Sequence, residues 1–204
     1  MTRGHRLVPS TLPRLSQRIG ARVLGLIGWH VHFAPLPGPC GVFVVYPHTS
    51  NWDFVVGMFA KLAVGVPIRW LGKEALFSGV FGFLFGRLMR RFGGEPVVRS
   101  TSTGAIERLA ERMHAADQFW LAITPEGTRS YKPYWRSGFY HIALVANVPV
   151  GLAFIDYAHK EIGVVEHIRL TGDVEADLAR IRQSYADCGG LYPELAAPIT
   201  FKAP

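Results

Sequence analysis

Hydrophobic positions fall along this chain in two alternating rhythms. Short apolar runs at Val42–Tyr46, Phe119–Ile123 and Val148–Ile155 read as strands, the first of them buried, and Pro67–Leu71 reads as a short strand. Between them, apolar residues return every third or fourth position, which is the helical period. That spacing predicts helices over Asn51–Val64, Glu74–Met89, Thr103–Ala116, Phe139–Ala146 and Asp173–Asp187. Ile106, Leu109 and Met113 share one helical face, as do Val174, Leu178, Ile181 and Tyr185. Pro96–Val98 and Gly163–Ile168 add two short strands, and the tail from Gly189 shows no period. Strand alternating with helix predicts an α/β fold: a single-domain αβα sandwich with a mixed, largely parallel sheet.

The N-terminal region has its own pattern. Residues 1–13 are polar and contain proline. From Arg14 to about Val31, apolar Leu15, Ile19, Val23 and Ile27 recur near helical spacing, with Arg14, Arg18 and Arg22 interleaved. Such a short amphipathic helix either lies on a membrane surface or packs on the domain. Pro35-Leu36-Pro37-Gly38-Pro39 reads as a linker. The predicted organisation is therefore a basic N-terminal segment, 1–34, followed by a main domain over 35–204.

Composition sharpens this picture. With 204 residues, 49% hydrophobic and 18% charged, the chain can bury a sizeable core and does not read as disordered. The net charge of +7 is unevenly spread, since Arg3, Arg6, Arg14, Arg18 and Arg22 all precede the first acid, Asp53. A second basic stretch runs through Arg87, Arg90, Arg91 and Arg99. Basic residues beside apolar segments suit an anionic lipid surface, and no nucleic-acid motif accompanies the charge. No signal peptide is recognisable, because the run Val23–Trp29 is short and no small-residue cleavage site follows. No stretch reads as a membrane-spanning helix. The expected location is the cytoplasmic face of the cell membrane, as a peripheral protein. Cys40 and Cys188 have no metal-like spacing, and their sparseness fits a reducing compartment. His30 and His32 could share a strand face but lack a third ligand nearby, so neither metal nor cofactor is expected.

Candidate chemistry begins at Pro47-His48-Thr49-Ser50-Asn51-Trp52-Asp53. On a helix, a five-residue separation subtends about 500°, which points the two side chains apart. His48 and Asp53 can meet only if the histidine sits in the turn after a strand and the carboxylate in the first turn of the next helix. That geometry would leave one ring nitrogen free to take a hydroxyl proton. Ser50-x-x-Asp53 is also a capping box, so Asp53 has a purely structural reading too. Pro125-Glu126-Gly127-Thr128-Arg129-Ser130 follows another strand-like run, where backbone N–H groups and the Arg129 fork could hold an anion, or where the chain merely turns. Arg99 follows the glycine-containing stretch from Gly93. Phe77, Phe81 and Phe85 suit either a core helix or a surface for an acyl chain or lipid. Gly-x-Ser-x-Gly, Walker, dinucleotide-binding, His-Glu-x-x-His and Cys-x-x-Cys patterns are missing.

Taken in order, these pieces resemble the glycerolipid acyltransferase superfamily, whose best-known members are 1-acyl-glycerol-3-phosphate O-acyltransferases. His48 to Asp53 resembles the family's His-x-x-x-x-Asp block, and Gly93 through Arg99 resembles its second block. Pro125 to Ser130 is similar to the third block, and Val148-Pro149-Val150 to the fourth. Leu71-Gly72-Lys73-Glu74 resembles a lysine-containing segment between the first two. Trp135-Arg136-Ser137-Gly138-Phe139-Tyr140 resembles a compact bacterial branch. The chain departs from the pattern at Pro47, Glu95, Val98 and Thr124. The resemblance implies transfer of an acyl group from acyl-CoA or acyl carrier protein to a lysolipid hydroxyl. The acceptor it suggests is 1-acyl-glycerol-3-phosphate, with a lyso-aminolipid as the alternative acceptor and a non-catalytic membrane lipid-binding protein of the same fold as the alternative function. It implies His48 as general base and Asp53 as its support. Arg99, Glu126, Gly127, Thr128, Arg129 and Lys73 are then substrate-binding residues, and no covalent acyl-enzyme is needed.

Overall fold

The computed structural model describes residues 12–74, 77–78, 85–97 and 104–202, with Lys73 and Val97 described by backbone alone. In chain order these form helix α1 (Arg14–Leu26), strands β1 (His30–His32) and β2 (Cys40–Tyr46), and helix α2 (Trp52–Val64). Next come β3 (Ile68–Lys73), α3 (Arg87–Arg91), β4 (Gly94–Val97), α4 (Ala105–His114) and β5 (Phe119–Ile123). Helix α5 (Gly138–Val145), strands β6 (Val150–Asp156) and β7 (Glu161–Ile168), and helix α6 (Val174–Ser184) follow. One turn of 3₁₀ helix, Pro193–Leu195, interrupts the tail.

All seven strands form one sheet in the order β1-β7-β6-β2-β5-β3-β4. Only β6 and β7 run antiparallel to each other; every other neighbouring pair is parallel. The strands alternate their side chains between two apolar layers, as the pleat requires. Val42 and Val44 of β2, with Phe119 and Leu121 of β5, face a core shared with α4, α5 and α6. Phe43 and Trp120 point the other way, into a second cluster with Leu36, Val66 and Val164. Leu24 of α1 and Val56 and Ala60 of α2 fill a third cluster on that same side. The expected α/β sandwich with a mixed, largely parallel sheet is thus the observed one.

The N-terminal segment differs from expectation. The helix ends at Leu26 rather than near Val31, because the chain reverses at Gly28, which holds φ at +76°. His30–His32 then joins the sheet edge beside β7. So residues 12–34 share the body of the domain instead of forming a separate element. Helix α1 packs one face on the domain and leaves the other outward. Gly20 sits so close to α2 that a Cβ there would lie 2.6 Å from the Ala63 nitrogen and the Phe59 carbonyl. Gly20 and Leu24 are buried, yet Leu15 (68% exposed), Ile19, Leu26 and Ile27 face outward beside Arg14, Arg18 and Arg22. No helix among the described residues is long and apolar enough to cross a membrane.

In parallel strands, the C-terminal ends gather at one edge of the sheet. Here that edge receives the residues following β2, β3, β4, β5 and β6. The irregular tail crosses the same edge. Tyr157 donates its N–H to the Gly189 carbonyl at 2.9 Å, and Tyr192 donates its N–H to Thr49 Oγ1 at 3.2 Å.

Candidate active site

His48 lies two residues beyond β2, and Asp53 occupies the first turn of α2. Nδ1 of His48 is 3.0 Å from Oδ2 of Asp53, an ion-pair approach without the alignment of a full hydrogen bond. The capping-box reading of Asp53 is also correct in part. Oδ2 accepts the Ser50 N–H at 2.9 Å, while Ser50 Oγ accepts the Trp52 N–H at 3.1 Å. One carboxylate oxygen therefore both caps the helix and faces the histidine, so forming the helix sets the pair.

The other oxygen, Oδ1, accepts the Tyr157 hydroxyl at 2.7 Å. Tyr157 comes from the end of β6, next to β2 in the sheet, and its ring meets Trp29 edge-on at 4.9 Å. Burial and the bond to Asp53 push the Tyr157 hydroxyl well above its ordinary value, so it remains a donor. Burial alone would push the Asp53 carboxyl up. The His48 ring, the Tyr157 hydroxyl and the Ser50 N–H outweigh that effect and hold it below the ordinary carboxylate value.

Glu126 braces the backbone beneath this pair. It is 2% exposed, and its two oxygens accept the N–H groups of His48 at 2.7 Å and of Ala197 at 3.0 Å. Burial pushes its carboxyl up to about 7, against the pull of those two N–H groups and of the His48 ring. Gly127 follows with φ at +65°, and a Cβ there would lie 3.0 Å from Nε of Arg136. The turn thus needs glycine for its dihedral, and the Arg136 side chain lies against it. Thr128 is half-buried and accepts the Ser130 N–H at 3.3 Å, whereas Arg129 is exposed. Arg129 and Arg136 have no ion-pair partner among the described residues.

A histidine backed by a buried carboxylate, at a strand-end edge with two unpaired arginines on the adjoining turn, can deprotonate a hydroxyl beside an anionic group. The family model for acyltransferases matches residues 31–151, and that span carries His48, Asp53, Glu126, Gly127 and Arg129. The chain belongs to the acyltransferase family. A crystal structure of the 1-acyl-sn-glycerophosphate (LPA) acyltransferase PlsC from Thermotoga maritima shares the fold of this acyltransferase. The match has a TM-score of 0.53 and 16% identity, covering 83% of this chain and 75% of that one. No curated protein sequence matches the chain.

The other expected site residues of this acyltransferase divide into two groups. Lys73 ends β3, in register with Val97 of β4, so its backbone reaches the same sheet edge as His48. Arg99 and Phe81 lie outside the described residues, as does much of the expected helix Glu74–Met89. Phe77 packs inward against Trp70 at 6.1 Å, with Arg90 over its ring at 5.3 Å, and Phe85 is 51% exposed. Sequence reasoning did not single out Tyr157, Ala197 or Arg136. Only Arg136 carried a signal, since it stands in the Trp-Arg-Ser-Gly stretch that resembles the compact branch. Among the described residues no three metal-ligating side chains gather together.

Proposed function

We propose that this acyltransferase moves a fatty acyl group from an acyl thioester, acyl-CoA or acyl carrier protein, onto a lysolipid hydroxyl. The acceptor that fits best is 1-acyl-glycerol-3-phosphate. The observation that carries this reading is the His48–Asp53 pair, whose Nδ1 side faces Asp53 and leaves Nε2 without a protein partner among the described residues. Nε2 takes the hydroxyl proton as the oxygen attacks the thioester carbonyl. The C–O bond forms, the C–S bond breaks, and the departing thiolate takes the proton from the imidazolium. Asp53 holds the ring and offsets its transient charge. A thioester is already activated, so direct attack by a positioned alcohol suffices.

Arg129 suits the acceptor's phosphate, being exposed and unpaired on a turn that opens at the same edge. Glu126 is assigned a bracing role rather than the head-group contact the family pattern implies, because both its oxygens are engaged by backbone N–H groups. Phe77 is likewise assigned to packing, and of the candidate phenylalanines among the described residues Phe85 has the exposure that suits lipid contact. The outward face of α1, leucine and isoleucine beside arginine, supports a peripheral position on the cytoplasmic face of the cell membrane.

Product mass spectrometry with both thioester carriers and a lysolipid panel tests the proposal. Esterified lipid and free thiol in equal amounts, with lysophosphatidate the preferred acceptor, is the expected result. Free fatty acid without ester would reveal a hydrolase, and no turnover in any pairing would sink the assignment. Arg129→Ala is expected to raise the acceptor KM about tenfold with the donor KM within twofold, the loss of one charged phosphate contact. Equal effects on both substrates would remove Arg129 from the head-group site.

A further inference from the structure

Five cationic side chains, Lys61, Arg69, Arg90, Arg91 and Arg112, line a cavity of about 700 Å³ that holds one carboxylate, Glu95. Its lining includes the first residues of β3 and β4, so it lies at the edge of the sheet opposite His48. Glu95 is already committed, receiving Arg69 at 2.7 Å and Arg112 at 3.0 Å. Those two arginines also stack on Phe119, with guanidinium carbons 4.3 and 5.6 Å from the ring centre. No carboxylate among the described residues pairs with Lys61, Arg90 or Arg91. Lys61 donates to the Phe92 carbonyl, and burial pushes its ammonium down to about 8. An excess of cationic over anionic side chains in one concavity favours an anionic occupant.

We propose that this cavity binds the phosphate headgroup of an anionic lipid, at a site separate from acyl transfer. Forked guanidinium donors match phosphate oxygens, and the volume suits a headgroup. The flanks argue for a lipid source over a free ion. Leu12 lines the cavity; Leu15, 68% exposed, follows it three residues later in the sequence, and Leu88, 42% exposed, shares the short helix α3 with the lining residues Arg90 and Arg91. An inorganic ion has no use for exposed leucine beside its cations; a headgroup whose chains continue into a bilayer does. The inference rests on the membrane-surface reading for the origin of the lipid, so one arm of the test dispenses with the bilayer.

In that arm, the full chain is treated with an amine-modifying reagent and Lys61 labelling is followed by mass spectrometry. Dihexanoyl phosphatidic acid below its micelle concentration is expected to protect Lys61, with inorganic phosphate and dihexanoyl phosphatidylcholine at least tenfold weaker. In the second arm, binding to phosphatidylcholine vesicles is measured with and without phosphatidylglycerol. Arg90 and Arg91 are exposed, so replacing both with alanine leaves the core intact. That double variant is expected to lose at least tenfold of both the protection and the preference for anionic vesicles. Glu95→Gln, which removes the competing carboxylate, is expected to strengthen protection several-fold. Equal protection by inorganic phosphate would overturn the lipid assignment, and no protection by either would overturn the cavity as a site. Protection without vesicle binding would uphold the headgroup site while refuting membrane docking.

Discussion

Two histidine–aspartate pairs stand at the ends of neighbouring strands. His48 follows β2 and faces Asp53, with Nδ1 to Oδ2 at 3.0 Å; His159 follows β6 and faces Asp156 at 2.5 Å. By distance alone the second pair is the better one. The surroundings reverse that ranking. The His159 side chain is 68% exposed, against 14% for His48. The bond to Asp156 and the charge of that carboxylate raise the pKa of His159, favouring an imidazolium that has no lone pair to accept a hydroxyl proton. Asp156 also accepts the Ala158 N–H at 3.0 Å, so the second pair closes a local turn. His48 is instead held from three directions, by the capped start of α2, by Tyr157 through Asp53, and by Glu126 through its own N–H. What sets the His48 pair apart is the bracing of its carboxylate and backbone, not closeness.

The most severe way to probe that contrast is to remove each ring. His48→Ala is expected to lower kcat by roughly 10³-fold, within the span general-base catalysis supplies, while His159→Ala stays within twofold. Thiol release from an acyl thioester measures both, and comparable losses would erase the distinction. Next, Asp53→Asn is expected to cost about 10²-fold in kcat with KM nearly unchanged, since the ring loses its orienting charge. Tyr157→Phe, which removes one donor to Asp53 and leaves the cap intact, is expected to cost only about fivefold in rate. A Tyr157→Phe loss as large as that of Asp53→Asn would mean the hydroxyl touches substrate.

A last effect concerns stability rather than rate, through Glu126 and pH. Its carboxyl titrates near 7 in the fold against 4.5 ordinarily, so the folded protein holds that proton longer than the unfolded chain. The favourable contribution is complete below the ordinary value and is lost as pH rises through about 7. Urea unfolding should therefore show stability falling across that window by at most about 3 kcal/mol, since each tenfold change in proton affinity is worth about 1.4 kcal/mol. Glu126→Gln should flatten the fall. An unchanged slope in that variant would assign the pH dependence to another group.

Local features were the legible ones. The His48–Asp53 pair spans one turn and one helix start, and the alternating strand and helix periods specify that junction. The parallel sheet likewise follows from the order of apolar runs. Tyr157 and Ala197 were invisible because they reach Asp53 and Glu126 across 104 and 71 residues. No local pattern records which strand lies beside β2, and that neighbour relation is what delivers Tyr157. The apolar spacing of α1 runs on past Gly28 to about Val31, and only pairing with β7 makes His30–His32 a strand. The N-terminal helix was legible as amphipathic, but which of its residues face the domain was not. Its apolar arc is broad enough to serve a protein neighbour and the exterior together, and Gly20 marks the inward side.

The second donor to Glu126 is the N–H of Ala197, close to the C-terminal end of the described residues. The bracing under His48 therefore draws on a stretch of chain far beyond the turn that carries the histidine. Any fragment that stops short of Ala197 would keep His48 and Asp53 while leaving one oxygen of Glu126 without its backbone donor.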